Sequence, residues 1–411
     1  MKRKPYLCFR AFSGGLCLCL ALAVSPVLGT GCAAPAAPAL TPHQETEREA
    51  AQTAEPETER DGQEDGKQDG QEKAFLYYGY ETLDGTERQL YREILTALLE
   101  LRAEAELSVT DDALVESVFR SVMADHPEIF YADGYQLTTY RLGEEIRRLT
   151  FTGTWTMDRE QVREREAQLK QAAAEWLQGL PEETDDYGKV KYLYDTLIAR
   201  TDYVPGSADS QNICSVLLNG SSVCQGYAKT LQYLCQLSGI PALLVTGTME
   251  GEGHAWDLIY MDGDWYHTDP TWGDASYVRE GSTEQDGPLP AVSYDYFGVT
   301  QEQISRTHRI GEGQRLPDCT AVTDNYYRRE GLYLETADFE QIAGIFGRAA
   351  ERGETAVTFQ CAREEVYREV EELLIVRQRV FDCLPGEDTT VAYSDSPERL
   401  TFCFWLGEPA S

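Results

Sequence analysis

Apolar residues recur every three or four positions in several stretches of the chain, which is the spacing of a helix that buries one face. These stretches predict amphipathic helices near residues 90–101, 114–122, 158–177, 186–200 and 224–238. The last one is the best defined, because Ala228, Leu231 and Cys235 share one helical face. Gly239 and Pro241 follow it and are typical of a helix end.

Strand-like stretches lie between and after these helices. The pattern predicts strands at residues 135–140, 148–154, 242–248, 255–261 and 265–268. Asp262-Gly263 favours a two-residue hairpin turn between the last two. Later in the chain it predicts strands at 332–334, 357–359, 391–393 and 401–405, with helices at 338–352 and 364–374. This mixture predicts an α+β protein, with an α/β N-terminal unit at 74–180, a central domain at 181–317 and a small α/β C-terminal domain at 318–411.

The N-terminus has the pattern of an export signal. Basic residues at positions 2, 3, 4 and 10 precede an apolar run at 11–28 and small residues at 29–31, as in a secretory signal peptide. Thr30-Gly31-Cys32 resembles the end of a bacterial lipobox, which implies that residues 1–31 are removed and that Cys32 carries a lipid. We therefore expect export and lipid anchoring at the outer face of a bacterial membrane. Cleavage by an ordinary signal peptidase and retention as an uncleaved anchor are the alternatives.

Composition and charge narrow the function further. Residues 32–73 are poor in large apolar side chains and rich in Glu, Gln, Gly and Asp, so we expect a disordered acidic tether there. Over the whole chain, 70 Asp and Glu outnumber 36 Lys and Arg, and the net charge is −34. This balance argues against a nucleic-acid binder, which must neutralise phosphates, and against binding to anionic lipid through a basic patch.

Cys224 is the cysteine whose position favours chemistry. Seven cysteines follow Cys32, and an odd number in an exported protein predicts at least one free thiol. They form no C-x-x-C pair, which argues against a zinc ribbon and against a redox role for Cys214, Cys224 and Cys235. Cys224 begins the helix predicted at 224–238, where unpaired amides and the positive end of the helix dipole favour a thiolate. Gly226 leaves room beside the sulfur for a substrate backbone.

A histidine and an aspartate follow on the predicted hairpin. A two-residue turn at Asp262-Gly263 fixes the register and places Asp269 opposite Trp256. His254 then shares a sheet face with Asp269 and is its diagonal neighbour. At that distance a carboxylate can hold an imidazole in one tautomer. Cys224, His254 and Asp269 therefore predict a nucleophile, a base and the group that orients the base.

Three ordered motifs carry a family resemblance. Val223-Cys224-Gln225-Gly226-Tyr227-Ala228, Gly253-His254-Ala255-Trp256 and Asp269-Pro270-Thr271-Trp272 together resemble the transglutaminase-like superfamily, over roughly residues 185–275. The resemblance implies a papain-like catalytic core, with Cys224 as nucleophile, His254 as general acid and base, and Asp269 as the orienting group. It implies a protein or peptide substrate, which we expect at the cell wall, and neither a cofactor nor a metal. The expected substrate-cleft residues are Tyr203, Gln225, Gly226, Trp256 and Trp272.

The residues alone leave several alternatives open. His267 shares the predicted face of Asp269 and could replace His254 as the base or complete a Cys/His/His/Asp metal site. Leu218 stands six residues before Cys224, where papain-type enzymes carry a Gln that binds the oxyanion, so the second oxyanion donor is unassigned. The acyl group could pass to water or to an amine, and we favour hydrolysis because no hydrophobic acceptor tunnel is identifiable. The alternative function is a cell-surface binding module that keeps the fold without turnover.

Overall fold

The computed structural model describes residues 46–49, 76–142, 144–274, 292–384 and 391–406. The predicted signal peptide, Cys32 and most of the predicted tether lie outside these residues. Within the predicted tether the structure describes one segment, Thr46–Glu49, which is a strand (β1) instead of the disordered chain expected there. No helix in the described part of the chain has both the length and the apolar character needed to cross a membrane.

The described residues divide into two compact units whose limits differ from the predicted domain boundaries. The first unit runs to Thr271 and includes Arg309–Asp318, so the predicted N-terminal unit and most of the predicted central domain form one body. The second unit contains Trp272–His308 and the residues from Cys319 onwards. In place of a single boundary at 317/318, each unit contains segments that are separated in the sequence. Such a division depends on long-range packing, so the local sequence pattern does not indicate it.

The N-terminal part of the first unit combines three helices with a twisted hairpin. The helices are α1 (Tyr78–Glu81), α2 (Gly85–Leu99) and α3 (Asp112–Asp125). The strands are β2 (Ala105–Glu106), β3 (Ala132–Leu142) and β4 (Glu145–Trp155), in the sheet order β1-β3-β4-β2. Asp84 and Asp111 cap the free amides of α2 and α3. The predicted hairpin and both predicted helices are confirmed.

The chain then passes through two long helices to the segment that leads to Cys224. α4 (Arg159–Leu177) and α5 (Asp186–Arg200) are capped by Asp158 and Asp185. The short parallel strands β5 (Asp202–Tyr203) and β6 (Ser221–Ser222) flank α6 (Ile213–Leu217). The sequence pattern did not predict these three elements, because two to five residues are too few to show a period. α7 (Cys224–Leu237) follows β6 directly.

The central sheet carries the remaining site residues of the first unit. It contains β7 (Ala242–Met249), β8 (Glu252–Met261) and β9 (Asp264–Thr268) in antiparallel order, and α7 packs on β7 and β8. Met261 pairs with Asp264, so the register predicted from the hairpin turn is confirmed. Asp262 and Gly263 both have positive φ, 49° and 110°, as this kind of turn requires. Arg309 and Ile310 extend the sheet beyond β7.

The second unit is an α/β body with its own core. Its four-stranded sheet has the order Tyr333–Leu334, Ala356–Cys361, Thr401–Trp405, Ala392–Ser396. Helices Phe339–Glu351 and Glu364–Glu371 accompany the sheet, and their apolar faces share one buried cluster with it. All four strands predicted in this region are confirmed. The helix predicted at 364–374 is α-helical only to Glu371 and continues as a π-helix over Glu372–Val376.

Candidate active site

Cys224 is the first residue of α7, as the sequence predicts. The residue before it, Val223, makes no side-chain cap, so the first amides of the helix are left for a ligand or for water. The thiol side chain is half-buried and packs against Ala228, Leu244 and Ala255. Cys224 therefore combines partial access with the positive end of a helix of 14 residues.

The structure brings His254 and Asp269 together. His254 Nε2 lies 2.7 Å from Asp269 Oδ2, and both side chains are buried. The backbone N–H of Thr271 donates to Asp269 Oδ1 at 2.9 Å. The hydroxyl of Tyr194 donates to the backbone carbonyl of Asp269 at 3.2 Å. Both carboxylate oxygens and the backbone of Asp269 are thus fixed by hydrogen bonds from this unit.

The electrostatics favour a protonated His254 ring. Burial disfavours the charge, but the Asp269 carboxylate and the hydrogen-bonded Cys224 side chain outweigh it and raise the pKa of His254 to about 10. Because Nε2 faces Asp269, Nδ1 is the ring nitrogen left for Cys224. A positive ring beside the sulfur stabilises a thiolate, which is the reactive form of cysteine.

His267 has a different partner from the one that the alternative assignment required. Its Nδ1 accepts a hydrogen bond of 3.0 Å from the indole N–H of Trp256. Within the described residues, His267 does not join Cys224 and His254 in a cluster that could hold a metal. Trp256, expected as a cleft wall, is fully buried, and its ring stacks on His254 at 6.0 Å between centroids.

The other expected cleft residues lie in different surroundings. Tyr203 is half-buried on β5, beside the strand that leads to Cys224, and its ring centroid is 6.2 Å from that of Tyr227. Gln225 is half-buried in the first turn of α7. Trp272 belongs to the second unit, where its ring packs edge-on against Tyr296 at 6.4 Å.

Gly226 is buried for a reason that differs from the expected one. A Cβ at this position would collide with the hydroxyl oxygens of Ser222 and Ser215 and would lie 3.0 Å from the carbonyl oxygen of Ser210. The two hydroxyls also hydrogen-bond each other at 2.6 Å. The missing side chain therefore lets the first turn of α7 pack on this pair of serines, and the room it makes is not for a substrate.

Asp257 is a site residue that sequence reasoning missed. It is fully buried on β8, and neither carboxyl oxygen has a hydrogen-bond partner in the described part of the chain. Burial and the nearby Asp269 charge raise the pKa of Asp257 well above its ordinary value. A charged residue next to alternating apolar positions is typical of a solvent-facing strand position, so the sequence carried no signal for this buried acid.

A family model and two curated relatives match part of the chain. Residues 174–270 match the family model of the transglutaminase-like superfamily. The human Kyphoscoliosis peptidase is 31% identical over 70 residues, which are 14% of this chain and 11% of the relative. The mouse Kyphoscoliosis peptidase is 30% identical over 70 residues with the same coverage, 14% and 11%. The match thus spans about a tenth of the length of these curated relatives.

Two solved structures align with part of the chain. A crystal structure of a TGase aligns with a TM-score of 0.25 and 16% identity, over 37% of this chain and 50% of that chain. The periplasmic domain of TgpA from Pseudomonas aeruginosa aligns with a TM-score of 0.22 and 18% identity, over 34% and 56%. Residues 174–270, which contain Cys224, His254 and Asp269, are thus the part of this α+β chain that is similar to the transglutaminase-like superfamily.

Proposed function

We propose that this protein is an exported cysteine enzyme that acts on peptide or side-chain amide bonds through an acyl-enzyme. The observation that carries the proposal is the hydrogen-bonded series Cys224, His254, Asp269 at the start of α7. A buried carboxylate, an imidazole and a partly accessible thiol in this order are what nucleophilic catalysis by cysteine needs. The match of residues 174–270 to the transglutaminase-like superfamily supports the same chemistry.

In the first half-reaction, the Cys224 thiolate attacks the amide carbonyl carbon and a C–S bond forms. The C–N bond breaks as His254 transfers its proton to the leaving amine. Asp269 keeps the ring aligned throughout. The backbone N–H of Cys224, the first residue of α7, donates to the oxyanion.

In the second half-reaction, neutral His254 takes a proton from the incoming nucleophile, which attacks the thioester carbonyl and releases the sulfur. With water the product is a carboxylic acid, and with an amine it is a new amide. We propose hydrolysis as the main outcome, because aminolysis requires a site that excludes water from the acyl-enzyme. The substrate is a protein or peptide at the cell wall, reached from a lipid anchor on Cys32.

The test is the pH dependence of thiol alkylation in the full chain, with each labelled cysteine identified by mass spectrometry. Cys383 is an internal control, because it is also half-buried but burial raises the pKa of its thiol to about 11. We expect Cys224 to react at pH 6 at least tenfold faster than Cys383. His254→Ala should remove most of this difference, and Cys383→Ser should leave the rate of Cys224 labelling unchanged.

The result that would contradict the proposal is slow labelling of Cys224 that follows the pH dependence of an ordinary thiol and ignores His254. The cell-surface binding module would then be the better interpretation. If labelling is fast, peptides are incubated with and without a fluorescent primary amine. Release of an acid without amine incorporation supports hydrolysis, whereas incorporation of the amine supports cross-linking.

A further inference from the structure

Two hydrogen bonds run side by side across one face of β8 and β9. The first joins His254 on β8 to Asp269, directly after β9, at 2.7 Å. The second joins the indole N–H of Trp256 to His267 Nδ1 at 3.0 Å. His254 and Trp256 are two residues apart in the sequence, and so are His267 and Asp269. Because side chains two residues apart in a strand point to the same side, all four lie on one face of the sheet. The second bond thus repeats the first, one side-chain position along the hairpin.

The Trp256 ring connects the two bonds. It stacks on the His254 ring at 6.0 Å with an interplanar angle of 17°. It also lies 6.3 Å from the His267 ring, at an interplanar angle of 39°. All three side chains are buried, and Trp256 and His267 are completely so. A change in the position of the indole would therefore remove one wall from the catalytic imidazole.

The backbone beside the ring leaves it little freedom. Gly247 on β7 pairs with His254. A Cβ at Gly247 would lie 3.0 Å from the Trp256 ring and would collide with the carbonyl oxygen of Arg309. The indole ring thus packs against Gly247, where a side chain would not fit. Its orientation within that space is fixed by the hydrogen bond to His267.

We infer that His267 is a positioning residue, which holds the Trp256 indole against His254 and so keeps the imidazole aligned between Asp269 and Cys224. The inference rests on the proposed function. Because an indole can only donate, His267 Nδ1 must be unprotonated and act as the acceptor. His267 acts through Trp256 and does not exchange protons with the substrate. This role also explains a buried second histidine so close to the catalytic one.

The test compares two substitutions of His267. His267→Asn keeps an acceptor oxygen near the position of Nδ1, whereas His267→Leu has similar bulk but leaves the indole N–H without a partner. The measurements are the pKa of the His254 ring by NMR and the pH profile of Cys224 alkylation. We expect His267→Leu to lower the His254 pKa by at least one unit, which is a tenfold change in the protonation equilibrium of the ring. It should also slow alkylation of Cys224 at pH 6, because a misaligned ring stabilises the thiolate less. His267→Asn should recover most of both properties.

The inference is overturned if a folded His267→Leu protein keeps the wild-type His254 pKa and alkylation profile. If that variant does not fold, Trp256→Phe replaces it, since this change keeps an aromatic ring and removes only the donor and part of the bulk. Equal His254 pKa values in Trp256→Phe and wild type would also overturn it. Slow alkylation of wild-type Cys224 would defeat the proposed function, while the NMR comparison would still decide the role of His267.

Discussion

At the scale of single residues, two buried aspartates of the same hairpin have opposite electrostatic surroundings. Asp269 faces the His254 ring and accepts the Thr271 amide, so its negative charge is compensated. Asp257 is equally buried, has no donor among the described residues and is close to the Asp269 charge. The two carboxyl groups therefore differ in charge: Asp269 is charged and orients the imidazole, whereas Asp257 is neutral.

Replacing Asp269 by Asn should lower the pKa of His254 from about 10 towards its ordinary value of 6.5. A base whose pKa is raised by folding stabilises the folded state fully below its unfolded pKa, and this stabilisation is lost as the pH rises through the folded pKa. The cost of Asp269→Asn, roughly 3 kcal/mol for breaking a buried pair, should therefore be greatest below pH 6.5 and should shrink towards pH 10. Urea unfolding of both proteins at pH 6 and pH 9.5 measures this, and a cost independent of pH would contradict it.

Replacing Asp257 by Asn should change the stability over a lower pH range. An acid whose pKa is raised by folding contributes stability below its unfolded pKa, near 3.8, and this contribution is lost as the pH rises. Asn does not titrate, so the stability of Asp257→Asn relative to wild type should increase between pH 4 and pH 8. Urea unfolding over that range checks the trend. A constant difference would mean that Asp257 is already charged in the folded protein at low pH.

At the scale of elements, the sequence predicted most long helices and strands because each shows several turns of an apolar period. The α7 helix and the β8–β9 hairpin are predicted within three residues at each end, since Gly239 ends one and Asp262-Gly263 joins the other. The register of that hairpin also gave the His254 and Asp269 pair. The surroundings of Gly226 could not be predicted, because the serines that touch it lie on short elements with no periodic signal.

A buried carboxylate joins three helices of the first unit. Asp125, at the end of α3, accepts hydrogen bonds from the backbone N–H groups of Gly79 and Tyr80 and from the Tyr91 hydroxyl, at 2.8 to 2.9 Å. Its backbone carbonyl accepts from Gln236 of α7 at 2.9 Å. The end of α3 is thereby linked to α1, to α2 and to the helix that carries Cys224.

We expect Asp125→Ala to cost about 3 kcal/mol at pH 8, because it leaves two amides and a hydroxyl without their acceptor in a buried position. Burial raises the pKa of Asp125 to about 6 although Tyr91 and the two amides oppose the shift, so the group is charged at pH 8. Tyr91→Phe is the matched control, since it removes one of the three donors and should cost about 1 kcal/mol. Chemical denaturation gives both values. Equal losses in the two variants would show that the amides do not depend on Asp125.

At the scale of the whole molecule, the chain has a large negative net charge and folds into two compact units. The local sequence pattern does not indicate where one unit ends and the other begins. The segment from Trp272 to His308 groups with the C-terminal residues, whereas Arg309–Asp318 returns to the first unit. Contacts between residues far apart in sequence decide this division, and no composition change marks it. The net charge of −34, by contrast, is fixed by the sequence alone and acts on every part of the protein.

Repulsion among these charges should make the folded protein sensitive to salt near neutral pH. Raising NaCl from 10 to 150 mM shortens the Debye length from about 30 Å to about 8 Å and screens this repulsion. Screening also weakens the surface ion pairs, but an exposed pair is worth only about 0 to 1 kcal/mol, so the repulsion dominates. We therefore expect the thermal midpoint to rise by several degrees at pH 7.5. The control is the same salt change near pH 4.5, the isoelectric point, where the net charge vanishes and the rise should disappear. An equal rise at both pH values would mean that salt acts on burial of apolar surface and not on charge.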